Sequence, residues 1–208
     1  MERRNFIQAA TLLAPLGMFP EWATAVPRDA QLLSGESDPI KPLYLPPLPP
    51  LAHNGTMNIR TWIRSAMTGG VYSSVECVVA PKVMGPPPHL HKELDELMFV
   101  LEGTASVIVD GREIQVEAGG WHLRPRMLTH TFWNATDKPL RFVDMYFHQP
   151  FEEFLEQIFF ELTPEKGYDY GSEKREKAHQ KLNEQFGLVY APTCGAERQE
   201  IMNKYGLK

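Results

Sequence analysis

The chain has 208 residues, 43% of them apolar and 23% charged, which suits one globular domain with a proper core and leaves little room for a second. A net charge of −5 without a basic block argues against nucleic acid or an anionic membrane surface as a partner. No internal repeat is present, so a duplicated architecture is not expected.

In chain order, residues 1–25 come first. Arg3 and Arg4 give a positive start, an apolar run extends from Phe6 to Phe19, and Ala23-Thr24-Ala25 reads as a small-residue cleavage site. The run contains Pro15 and is shorter than the ~20 apolar residues a membrane-spanning helix needs, so no membrane anchor is expected. Arg3-Arg4-Asn5-Phe6-Ile7 resembles a bacterial twin-arginine signal, with Glu2 where Ser or Thr is usual. That resemblance implies export of a folded protein, to the periplasm or beyond the cell. Residues 26–57 follow as an arm or linker, aperiodic and proline-rich, whose Leu43, Tyr44, Leu45, Leu48 and Leu51 need burial. A homodimer, with the arm laid on the partner, is the expected assembly.

Residues 58–148 read as short β-branched and aromatic strands broken by turns. The segments are 58–67, 71–79, 96–103, 104–110, 112–118, 120–125, 130–134 and 140–147. Asp110-Gly111 between two alternating runs is a hairpin signal. Closely spaced strands of this kind predict an all-β fold, a small jelly-roll barrel. Residues 149–208 change to helical spacing. Phe151, Phe154, Leu155, Ile158, Phe159 and Leu162 form one stripe, Ser172 is an N-cap candidate with Gly187 as a stop, and a last helix is expected near 195–205. These C-terminal α-helices are expected to pack outside the barrel, their stripe serving as core. Cys77 and Cys194 are read as unpaired thiols, Cys77 as a small core residue.

The chemistry concentrates between residues 85 and 134. In a strand, residues i and i+2 share a face, so His89 and His91 project together. Glu96 begins the next strand, and His130 opens another after a Pro-containing turn. Glu93 and Asp95 compete for the carboxylate role, but Asp95 has the opposite strand parity. Three imidazoles and a carboxylate suit a divalent transition metal (Fe, Mn, Co, Ni, Cu or Zn), and four ligands around an octahedral ion leave positions open for substrate or dioxygen. His122 and Arg124 share a face that either lines the pocket or meets solvent. Phe132 and Asn134 share parity with His130 and are either pocket liners or barrel packing. His53, His148 and His179 have no evident partner.

The spacing His89-x-His91, four residues, Glu96, six residues, Gly103 resembles the first motif of the cupin superfamily. Gly119, Pro125, His130 and Asn134 resemble the second motif. The chain departs from it at Met127, where the motif has glycine; this bears on the turn before His130 and would place a thioether near the mouth. The helical tail is similar to that of single-domain cupins related to quercetin dioxygenases. The resemblance implies a metal-dependent dioxygenase acting on a small oxygenated or aromatic molecule, with Glu96 able to loosen from the metal as base. Two alternatives stay open: a non-enzymatic binder of a sugar or flavonoid, and a metal-dependent isomerase or lyase.

Overall fold

The structure is a computed structural model and describes residues 40–208. Residues 1–25 and the first part of the arm, and with them the expected signal, lie outside the described residues.

The elements are β1 (Met57–Ile63), β2 (Tyr72–Val79), β3 (Val83–Met84), β4 (His89–His91), β5 (Asp95–Glu102), β6 (Thr104–Val109), β7 (Arg112–Glu117), β8 (Trp121–Arg124), β9 (His130–Asn134) and β10 (Leu140–Phe147). After them come α1 (Phe151–Glu156), α2 (Glu173–Gln185), β11 (Leu188–Tyr190) and α3 (Cys194–Tyr205). One sheet runs β1-β2-β10-β5-β8 and the other β11-β4-β9-β6-β7, with β3 paired to β9. Every pairing is antiparallel, and the two sheets face each other as the jelly roll expected. The first predicted strand ends early, because the chain turns through a 3₁₀ segment, Ser65–Thr68, closed by Gly69 at φ +65°.

Period-two alternation decides what β10 buries, whereas β2 and β9 are covered on both faces. On β10, Leu140, Phe142, Asp144 and Tyr146 are buried while their neighbours are partly exposed. Val75, Cys77 and Val79 from β2 and Met98 and Val100 from β5 meet them, and Cys77 is a free, buried core thiol. Cys194 is also free. The β6–β7 hairpin closes through Asp110 and Gly111, both at positive φ (48° and 75°), as a two-residue type I′ turn demands. Gly103 links β5 to β6 at φ +79°, and a Cβ there would lie 2.5 Å from the Pro139 carbonyl oxygen, so the position accepts no side chain.

Helix α1 runs directly into a π-helical turn, Gln157–Glu161, in which the Leu162 N–H donates to the Gln157 carbonyl at 2.8 Å. Phe151 and Phe154 from α1 join the barrel core, as their stripe predicts, together with Phe186 and Leu188. The three-residue strand β11 adds to the edge of β4, with Leu188 opposite His91 and Tyr190 opposite His89. That strand had no counterpart in the sequence reading. No described helix is long and apolar enough to cross a membrane.

Candidate metal centre

The structure brings His89, His91, Glu96 and His130 together, all buried, with one donor atom from each lying within 4.8 Å of the others. Two donors about 2.1 Å from a single ion stand at most about 4.2 Å apart, so closure onto a metal needs shifts of only a few tenths of an ångström. Two sheets build the cluster. His89 and His91 come from β4, His130 from β9 directly opposite His89, and Glu96 from β5 in the facing sheet.

The proton positions favour a ligand set. His89 Nδ1 lies 2.8 Å from the Pro87 carbonyl oxygen and His130 Nδ1 lies 2.9 Å from that of Leu128. A carbonyl can only accept, so both Nδ1 atoms carry hydrogen and the Nε2 lone pairs are free for an ion. Pro87 lies in the rigid Pro86-Pro87-Pro88 approach, two residues before His89. The Nε2 atoms of His91 and His130 lie 3.1 and 3.2 Å from the two Glu96 oxygens, yet neither has a well-aligned hydrogen-bond partner. Buried polar atoms left without partners are costly, and a cation among them would satisfy the set. Burial, followed by the neighbouring His130 and His91, holds the His89 imidazole well below its ordinary range. It is therefore neutral, the form that ligates.

A second charged layer lies behind Glu96. Arg124 on β8 is fully buried opposite Glu96, with Nε 2.9 Å from Glu96 Oε2 and a terminal nitrogen 2.6 Å from Asp144 Oδ1. Burial alone would raise the Glu96 carboxyl, but Arg124, His130 and His91 outweigh it and hold it well below the usual carboxylate range. Burial raises Asp144 despite Arg124, and Tyr146 is pushed well up by burial and then by Asp144. The Tyr146 hydroxyl donates to Asp144 Oδ2 at 3.4 Å.

The other sequence candidates separate cleanly. Asp95 points away from the cluster and accepts from Arg126, from its backbone N–H at 2.9 Å and its Nε at 3.0 Å, while Glu93 is exposed. Asn134 is a structural tie rather than a pocket liner. Its amide donates to the carbonyls of Val79, Ala80 and Lys138, and its Oδ1 accepts from the Thr136 backbone and hydroxyl. Phe132 does line the cavity beside the cluster. The face that His122 and Arg124 share is the more buried one of β8, and neither residue lines the cavity. Met127 is 61% exposed and is not among the cavity residues, so its thioether does not guard the mouth. His148 sits 3.4 Å from Asp95, and His53 Nδ1 accepts from the Gly55 N–H. His179, expected to be structural or exposed, lines the cavity.

The cavity beside the cluster measures about 220 Å³. His89, Glu96, His130, Asp144 and Tyr146 lie at its polar end, and Phe151, Phe154, Leu155, Ile158 and Phe159 form an apolar wall with Leu188 and Tyr190. The C-terminal stripe is thus both core and pocket wall. Sequence reasoning missed Arg124 as the partner of Glu96, and it missed Asp144, His179 and Tyr190. Asp144 carried a usable signal, a charge at a core-parity position of an alternating strand.

Residues 75–146 match the family described as Cupin domain. Solved structures with a similar fold include KdgF from Halomonas sp., at 15% identity and TM-score 0.42 over 48% of this chain and 84% of that one. A recombinant oxalate oxidase in complex with glycolate is 22% identical, with TM-score 0.40 over 46% of this chain and 53% of that one. A predicted oxalate decarboxylase from Thermotoga maritima is 14% identical, with TM-score 0.42 over 44% of this chain and 79% of that one. The curated proteins contain no match to the sequence.

Proposed function

We propose that this cupin domain belongs to an exported, metal-dependent oxidoreductase of the dioxygenase type, which acts on a small oxygenated or aromatic molecule. The observation that carries the reading is a buried three-histidine, one-carboxylate cluster at the polar end of an otherwise apolar cavity. His89, His91, His130 and Glu96 would hold the ion. When bound, a redox-capable metal supplies a Lewis-acid site and an electron path between an oxygenated substrate and dioxygen. The residues do the rest. The aromatic wall excludes water and orients the substrate body, and Glu96 stands where a hydroxyl approaching the cluster would surrender its proton. Arg124 keeps Glu96 ionised in advance of that transfer.

A second reading, a non-enzymatic small-molecule binder, draws on one specific observation. A carboxyl held well below its usual range is a poor base. Oxygen uptake separates the two. Protein purified from its native compartment and screened with phenolic substrates consumes oxygen if it is an oxidoreductase. Tight binding of the same compounds with no oxygen consumed under any metal loading would overturn the enzyme reading. Export has its own test. Replacing Arg3 and Arg4 by Lys is expected to retain the precursor, with its amino terminus uncleaved, inside the cell; normal secretion of that double variant would defeat the twin-arginine route.

A further inference from the structure

We infer that the segment after the barrel makes the site selective for an uncharged, compact molecule, one ring or its equivalent in bulk, with an oxygen donor at one end. This rests on the metal-centre reading above and narrows its substrate. Most of the apolar lining comes from residues 151–190, outside the stretch that matches the family, with Pro86, Pro87 and Phe132 contributed from within it. Phe154, Leu155, Ile158 and Phe159 descend from α1 and its π-helical continuation, and Leu188 and Tyr190 arrive on β11. Because Tyr190 is the cross-strand partner of His89, with ring centroids 5.9 Å apart, β11 sets one wall of the cavity directly beside the metal-ligand strand.

Size and charge both restrict the occupant. An apolar cavity of about 150 Å³ accepts one benzene, and sites for drug-sized ligands start at about 300 Å³. A volume of about 220 Å³ lies between them, enough for a substituted single ring and too small for a three-ring flavonol. Among the described residues that line the cavity none is Lys or Arg, while Glu96 and Asp144 both line it. Arg124 is occupied by those two carboxylates. A dianion such as oxalate or a sugar phosphate would therefore bring its second charge against an aromatic wall, with no free cation from the protein lining the cavity to meet it.

The experiment is calorimetric titration, without oxygen, of protein loaded with redox-silent zinc, using 4-methylcatechol, oxalate and quercetin as probes. The expected order has 4-methylcatechol binding at least ten-fold more tightly than either of the others. Ile158→Trp, which fills the cavity from the π-helical turn, is expected to weaken 4-methylcatechol at least ten-fold while zinc stoichiometry stays unchanged. Phe159→Ala, which enlarges the cavity, is expected to improve quercetin, and it keeps the test open should the tryptophan variant fail to fold. Oxalate or quercetin binding as tightly as 4-methylcatechol would overturn the inference, as would a correctly folded Ile158→Trp with unaltered affinity. Zinc stoichiometry is measured first, so that failure of the metal centre shows separately. In that event toluene binding to the metal-free protein, abolished by Ile158→Trp, still supports the compact apolar cavity, and absence of toluene binding overturns it.

Discussion

Met127 holds φ +64° in the turn that carries the chain from Pro125 to His130. Its N–H donates to the His91 carbonyl at 2.8 Å, so the turn is pinned to the very strand that bears two of the candidate ligands. A side chain in the left-handed region costs about 1 kcal/mol or more, and at this exposed position it gains no packing in return. Met127→Gly is therefore expected to raise unfolding stability by at most about 1 kcal/mol in a denaturant titration, the relieved strain being partly offset by glycine's greater freedom in the unfolded chain, without altering the β-sheet circular dichroism. A loss of stability would show that the thioether makes contacts that matter. The motif departure was readable in the sequence. That the turn keeps the glycine conformation regardless was not, because the backbone hydrogen bond to His91 comes from a residue 36 positions earlier. His89 and His91 were legible as one face because strand parity is a local property, and Glu96 and His130 were legible through the spacing of the two motifs. The Arg124–Asp144 layer was hidden for the opposite reason. Its charges meet only through the pairing of β5 with β8 and with β10, strands distant in sequence.

At the scale of elements, the turn between β8 and β9 is braced from the start of β5. Asp95 receives the Arg126 backbone N–H and guanidinium, and the Arg126 side chain, acting with the backbone bond against a smaller burial effect, lowers the Asp95 carboxyl from 3.8 to about 2. A depressed carboxyl stabilises the fold above its unfolded value, where it is charged in both states. That contribution declines as the pH drops below about 4 and is lost as it falls through about 2. Asp95→Asn is expected to lower stability at neutral pH and to flatten the loss between pH 4 and pH 2; a variant with an unaltered acid profile would show that the brace contributes nothing. Strand and helix placement followed from alternation and from the Phe151–Leu162 stripe. Strand β11 did not, since three residues give no period to read, and its place is set by pairing with β4 a hundred residues away. Tyr190 entered the cavity by that same unreadable route, and His179 reaches it from α2.

At the scale of the whole molecule, the described residues expose apolar side chains on the arm and on the outer face of one sheet. Tyr44 of the arm is 82% exposed, with Leu43 and Leu48 also exposed, although Arg60 and Asn58 donate to the Pro49 and Ala52 carbonyls and tie the end of the arm to its own barrel. On the outer face of the first sheet, Trp121 stacks on Phe99 at 4.4 Å and is 57% exposed, beside an exposed Leu123. We propose that the two surfaces cover each other in a homodimer, the arm of one copy on the sheet face of its partner. Light scattering checks it. The full chain should be a dimer at micromolar concentration and a chain beginning at Asn58 a monomer; a full-length monomer would end the idea, and a dimer that survives truncation would clear the arm. The claim on which function depends is the four-ligand centre. It is tested most directly by metal analysis of the protein and of His91→Ala, each purified from its native compartment. Stoichiometric metal in the parent, and none in a variant that keeps its β-sheet circular dichroism, is the result expected. Full metal occupancy in His91→Ala would contradict it.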